Sequence, residues 1–200
     1  EHYSLIARSE RLIIDSGEHF ERQSYRTRTG IIGPNGKQDL IVTIDRRRGE
    51  KMPMCTVGLS YVEPWNLHHV QAIRSAYGQT PWFIHYIDEI EAVLLKKYDR
   101  LFDLDLATMR LAMKWLGLKT EVILSPAYVE ELTAANGALI EDHRTALHPK
   151  RALPSGIHSV GPYVQVFADR HGFMDRLSII DLVMNTGPDA AAILQDQGRS

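Results

Sequence analysis

The stretch 64–77, PWNLHHVQAIRSAY, decides how the rest of the chain is read. Pro64 suits the first turn of a helix, where its missing N–H would find no partner anyway. Trp65, His69, Ile73 and Tyr77 then recur in steps of four, which draws one slowly drifting stripe along a helix face. Two more amphipathic periods follow, over 81–97 and 103–117, with Gly117 placed as a C-cap. A central helical segment over 64–117 is therefore expected.

Outward from that segment the pattern changes from helical to alternating. On the N-terminal side, 2–9 reads as the end of a helix and 11–15 (RLIID) as a strand with an Asp-Ser-Gly exit turn. Residues 22–32 and 38–44 are predicted as strands joined at Gly33-Pro34-Asn35-Gly36-Lys37, with Leu40, Val42 and Ile44 on one face. A charged loop over 45–51 precedes another strand at 55–61. On the C-terminal side, 120–124 (TEVIL) and 163–167 (YVQVF) are predicted as strands. They flank a Gly-, Pro- and His-rich loop over 137–162, and helices over 178–185 and 188–195 close the chain. The expected fold class is α/β, a mixed sheet with helices, in one compact domain spanning 1–200.

The totals agree with that class. Forty-four per cent of the 200 residues are hydrophobic and 24% charged, as in globular proteins. A net charge of −2 offers no basic field for nucleic acid or anionic lipid. The one cysteine, Cys55, cannot form an internal disulfide, which points to a reducing, cytoplasmic setting. No apolar run approaches the ~18 residues of a spanning helix, so no membrane insertion is expected. The chain opens at Glu1 without methionine and enters mid-helix, so native residues are expected upstream.

The sharpest chemical signal lies in 18–28, EHFERQSYRTR. If that segment is extended, Arg22, Ser24, Arg26 and Arg28 share one face. Three guanidiniums there need solvent, acids or an anion, and their planar forks suit phosphate or carboxylate. The alternative is a wet edge strand paired with Asp15, Glu18 and Glu21. His69, on an apolar stripe, is either a hydrogen-bonded core residue or a base. In the long loop, His148 is a candidate general base and Lys150 an anion holder, against a default of solvated loop. His143 and His148, five apart, match no usual zinc spacing, and neither a metal nor a cofactor is expected. Ser178 and Asp181 have capping-box spacing, and the cap accounts for both. Gly30 to Gly36 has five intervening residues where a phosphate loop has four, and Gln38 stands where Ser/Thr is needed; Gly156 to Gly161 has four between but is followed by Pro162, and no HExxH, GxSxG or CxxC occurs.

These fragments, taken in order, resemble the WbqC-like proteins of bacteria. The resemblance rests on the Arg/Ser/Tyr segment 20–28, the Gly33-Pro34-Asn35-Gly36 turn, and Pro64-Trp65 with His69, Ile73 and Tyr77. It continues through Pro81, Phe83, Leu116-Gly117, TEVIL and His148-Pro149-Lys150. It ends with Tyr163, Gln165, Phe167, Gly172-Phe173, Leu177 to Leu182, Asn185 and Gly187-Pro188. Two departures stand out. Arg22 replaces a usual lysine, and Thr27 replaces the asparagine usual before Arg28. The family's aromatic- and proline-rich N-terminal motif is also missing ahead of Glu1.

The resemblance implies a role in surface-polysaccharide (O-antigen) precursor synthesis, as a transferase acting on an activated sugar or acyl donor. In that reading Arg22, Arg26 and Arg28 hold the donor's anionic group, and His69 or His148 accepts a proton. Lys150 holds an anion beside His148, while Gln165 and Asn185 orient the substrate, and Trp65 or Tyr163 stacks on it. The rivals are a non-catalytic ligand-binding or scaffold protein with the same anion pocket, and a hydrolase of a phosphorylated or acylated sugar.

Overall fold

The computed structural model describes residues 1–45, 51–130, 139–157 and 159–196. Most of the expected charged loop 45–51 lies outside the described residues, as do positions 137, 138 and 158 of the expected loop 137–162.

Three helices form the centre: α2 (Trp65–Tyr77), α3 (Phe83–Leu94) and α4 (Leu101–Trp115). The four-step stripe of α2 is its buried face, and Ile73 and Tyr77 are fully enclosed. They pack with Ile87 and Ile90 of α3 and with Leu182 and Val183 of α6 (Ile179–Thr186). Gly117, at φ +61, ends α4. Its N–H donates to Lys114 and that of Leu118 to Met113, a paired closure that needs the left-handed conformation glycine adopts freely.

Among the described residues the strands form three two-stranded ladders instead of one mixed sheet. β1 (Arg11–Asp15) pairs in parallel with β6 (Glu121–Ser125), from Arg11 opposite Glu121 to Asp15 opposite Ser125. One face, Leu12, Ile14 and Val122, packs on Ile6 of α1 (His2–Ala7) and on Met109 and Met113 of α4. β2 (Arg28–Gly33) and β3 (Gly36–Ile41) form the expected hairpin, with Gly33 opposite Gly36. β4 (Ile44–Asp45) pairs with β5 (Gly58–Leu59).

The hairpin lies against α2, and the two polar residues of the α2 stripe fasten it. The His69 ring Nε2 donates to the Ile41 carbonyl at 3.1 Å, and the Ile32 N–H donates to the Tyr77 hydroxyl at 3.3 Å. The free edge of β2 is covered further by Ser178, whose N–H donates to Gly30 O at 2.7 Å.

Several expected strands are corrected. The strand predicted from residue 22 begins at Arg28, because 21–27 forms turns. The Ser24 hydroxyl donates to the Glu21 carbonyl at 2.8 Å and Gln23 sits at φ 56, so the backbone cannot stay extended. The strand predicted over 38–44 runs Gly36–Ile41. At 55–61 there is a 3-10 turn, Met54–Thr56, followed by the two residues of β5. The segment 163–167 is not a strand. Its alternation is inverted, with Val164 83% exposed and Gln165 4% exposed. The Gln165 carboxamide stands in for a partner strand: Nε2 donates to Met174 O at 2.9 Å and Met174 N–H donates to Oε1 at 2.8 Å. Phe167, at φ 64, then opens the short α5 (Ala168–His171). The closing helices are α6 and α7 (Ala190–Asp196). Among the described residues no helix is long and apolar enough to cross a membrane.

Candidate functional site

The hairpin base, the 21–27 turns, α1 and α4 surround a cavity of about 1590 Å³. Its walls include Arg26, Arg28, His69, Asp105, Tyr163 and Arg176. The space exceeds the ~300–1,000 Å³ of a typical small-ligand site, enough for a nucleotide-linked donor or two smaller molecules.

The turns at 21–27 separate the three arginines that an extended strand would have aligned. Arg22 is exposed and outside the cavity walls. Arg26 faces the cavity and is ion-paired to Glu18. Enclosure pulls its pKa below the usual guanidinium value, while the charges of Asp105 and Asp15 act in the opposite direction. Arg28, on the first residue of β2, also faces the cavity, and its Nε is sealed without a hydrogen bond. Among the described residues no carboxylate lies within ion-pair distance of it.

His69 reaches the cavity wall but is only 7% exposed. A carbonyl only accepts, so Nε2 carries the proton and Nδ1 is the basic nitrogen. Enclosure lowers its pKa to about 4, with the Ile41 bond opposing and the neighbouring His68 adding a little. The ring is therefore neutral near pH 7. Trp65, 4% exposed, packs on His69 at 5.2 Å between centroids and donates through Nε1 to Ser60 O at 2.9 Å. It lies outside the cavity walls.

Tyr163, Gln165 and Asn185 converge on Asp181, which is 0% exposed. Tyr77 donates to Oδ1 at 2.8 Å, while Tyr163 at 2.5 Å and Gln165 Nε2 at 2.8 Å both reach Oδ2. Asn185 receives the Val166 N–H at 3.0 Å and donates to the Asp181 carbonyl at 2.7 Å. Only Tyr163 of this group faces the cavity. Burial raises the Asp181 pKa and the three donors resist the rise. The capping-box reading is thus half right: Ser178 Oγ accepts from Ile180 N–H at 3.3 Å, but the Asp181 carboxylate is the hub of a buried network.

The long loop folds back onto the 21–25 turn. Lys150 bonds Gln23, and Arg151 pairs with Glu21 at 3.2 Å. His148 is half-buried, with Nδ1 accepting the Lys150 N–H at 3.1 Å, so its proton sits on Nε2. Neither His148 nor Lys150 is in the cavity wall, although Thr145 and Leu147 are. The loop is held by Arg176, which donates to His148 O at 2.8 Å, Arg151 O at 2.9 Å and Tyr25 Oη at 3.1 Å.

Sequence reasoning passed over Arg176 and Asp105. Arg176 sits at φ 54, lines the cavity and keeps a sealed, unbonded Nε 3.9 Å from Glu1 Oε1. Nothing in its sequence neighbourhood signals this. Asp105 did leave a signal, since it shares the four-step stripe of α4 with Leu101 and Met109, both buried. Its Oδ2 is sealed without a partner, and enclosure holds its pKa well above the ordinary carboxylate value against the pull of Arg26. Among the described residues no three His, Cys, Asp or Glu side chains group as metal ligands.

No curated protein and no solved structure matches the chain significantly. A family model does match, over residues 1–153, a span that takes in Arg22, Arg26, Arg28, His69 and His148 and leaves Arg176 and the fragments at 163–188 outside it. With three quarters of its length matched, the chain belongs to the WbqC-like protein family.

Proposed function

We propose that the cavity binds an anionic activated donor through Arg28 and transfers its group to an acceptor held in the same space. The setting would be cytoplasmic assembly of a bacterial surface-polysaccharide precursor. The observation that carries this reading is the Arg28 guanidinium, which faces the cavity with a sealed, unbonded Nε and no acid in ion-pair contact among the described residues. A fixed, unpaired cation beside an enclosed space favours an anion there. In the transfer, the acceptor's lone pair attacks the donor carbon and the bond to the phosphate oxygen breaks. The departing electron pair remains on that oxygen, where Arg28 stabilises it. The acceptor's proton passes to a base, and the Nδ1 of neutral His69 is a candidate on the cavity wall.

One observation favours a binding role without chemistry. His69 is almost closed off and tied to Ile41, and a pKa near 4 makes it a weak base. Calorimetric titration with a nucleoside diphosphate sugar, followed by detection of released nucleotide on adding an acceptor, tests both readings. Binding that drops about tenfold or more in Arg28→Ala supports the anion site. No binding by the unmodified chain overturns it. Binding without nucleotide release favours the non-catalytic reading.

A further inference from the structure

We infer that Asp105 marks a second, cation-recognising subsite in the cavity, so that the acceptor carries a primary amine. This rests on the proposed anion site at Arg28 and specifies what sits beside it. Asp105 of α4 lines the same cavity and is partly exposed, while its Oδ2 is enclosed with no hydrogen-bond donor among the described residues. Arg26 does not meet that need: its contact is with Glu18, and it makes no ion pair with Asp105.

The walls around the carboxylate suit an ammonium group. Its charge reaches Tyr3, whose ring packs edge to face on that of His2 at 5.3 Å, and both rings line the cavity. A carboxylate beside aromatic rings, shielded from water, is how proteins commonly hold alkylammonium groups. An ammonium docked on the part of the carboxylate that meets the cavity would restore its ionised form, which enclosure disfavours in the empty cavity. His2, held near pKa 4 chiefly by enclosure, stays neutral at pH 7, and the side-chain cation that acts on the carboxylate is Arg26, whose charge Glu18 offsets. Unpaired groups of opposite sign in one cavity then describe an amino sugar or similar amine meeting a phosphorylated donor.

The test compares glucosamine 1-phosphate with glucose 1-phosphate, which share the phosphate and differ at the amine. In calorimetry at pH 7.5 the amine-bearing sugar is expected to bind about tenfold more tightly. Asp105→Asn should abolish that preference and leave the glucose 1-phosphate affinity unchanged. Methylammonium should compete with glucosamine 1-phosphate but not with glucose 1-phosphate, which checks the subsite in the unmodified chain even if the variant folds poorly. Equal affinity for the two sugars, or a preference that survives in Asp105→Asn, overturns the amine subsite while the anion site stands. If neither sugar phosphate binds, the Arg28 reading fails and this inference falls with it.

Discussion

Asp181 and Arg28 are both charged side chains drawn away from water, yet their surroundings differ in kind. Around Asp181 each carboxylate oxygen accepts from a placed donor, Tyr77 on one and Tyr163 with Gln165 on the other. The donors come from α2, from the segment before α5 and, through Tyr77, from contact with the hairpin. Around Arg28 the account is open. Its own Nε, the Nε of Arg176, Asp105 Oδ2 and Glu1 Oε1 are sealed and unbonded, and all four residues border one cavity. A buried polar atom left unpaired costs about 1–3 kcal/mol. A fold rarely tolerates several together except where ordered water or a ligand completes them. The saturated network holds elements in place, and the unsaturated wall is where recognition is expected.

The largest effect should come from opening the saturated side. Asp181→Ala would leave Tyr77, Tyr163 and Gln165 without their shared acceptor, at a cost of about 3 kcal/mol or more in urea unfolding. A loss below about 1 kcal/mol would mean that the network is not the fastener described here. Next comes pH. His69 has a folded pKa of about 4 against 6.5 when unfolded, so the unfolded chain binds the proton more readily. Stability from this group is full above pH 6.5 and falls as pH drops from 6.5 to 4, by about 2–3 kcal/mol. His69→Phe should lessen that slope and leave the part that His2, also near pKa 4, contributes, whereas an unchanged slope would locate the titration elsewhere. Smaller again is Gly117→Ala, where open space surrounds the position and only φ +61 resists a side chain. About 1 kcal/mol is expected there. Arg28→Ala, on the unsaturated side, removes a group that is itself unpaired, so it should lower stability by less than about 0.5 kcal/mol.

Helices and turns were legible because their causes are local. The stripe at Trp65, His69, Ile73 and Tyr77 is the buried face of α2, and Gly33-Pro34-Asn35-Gly36 turns the hairpin. What failed depended on distant partners. YVQVF alternates like a strand, but its pattern is set by Gln165 bonding Met174 and Asp181, which pulls a polar residue inward and leaves Val164 outside. The arginine face of 22–28 broke on a local competitor, the Ser24 hydroxyl, whose hold on the Glu21 carbonyl outweighs alternation. Of the candidate site, Arg26, Arg28, His69 and Tyr163 meet at the cavity, while Arg22, Trp65, His148, Lys150, Gln165 and Asn185 lie outside its wall. The spacing in 64–77 could place His69 on a face but not show that Ile41 would occupy its Nε2. Asp105 could have been found as an acid on an apolar helix stripe. Arg176 could not, because its role comes from a strained backbone and a loop brought in from 148–151.

The contrast between the two regions is tested most directly by arginine Nε–H resonances during titration with inorganic phosphate. The Nε–H of a guanidinium that docks an anion should shift, saturably, as the anion is added. The account predicts this response at Arg28, with Tyr77, Tyr163 and Gln165 signals unmoved around Asp181. Saturating phosphate that leaves Arg28 unchanged, or perturbs only exposed arginines such as Arg22, would contradict it.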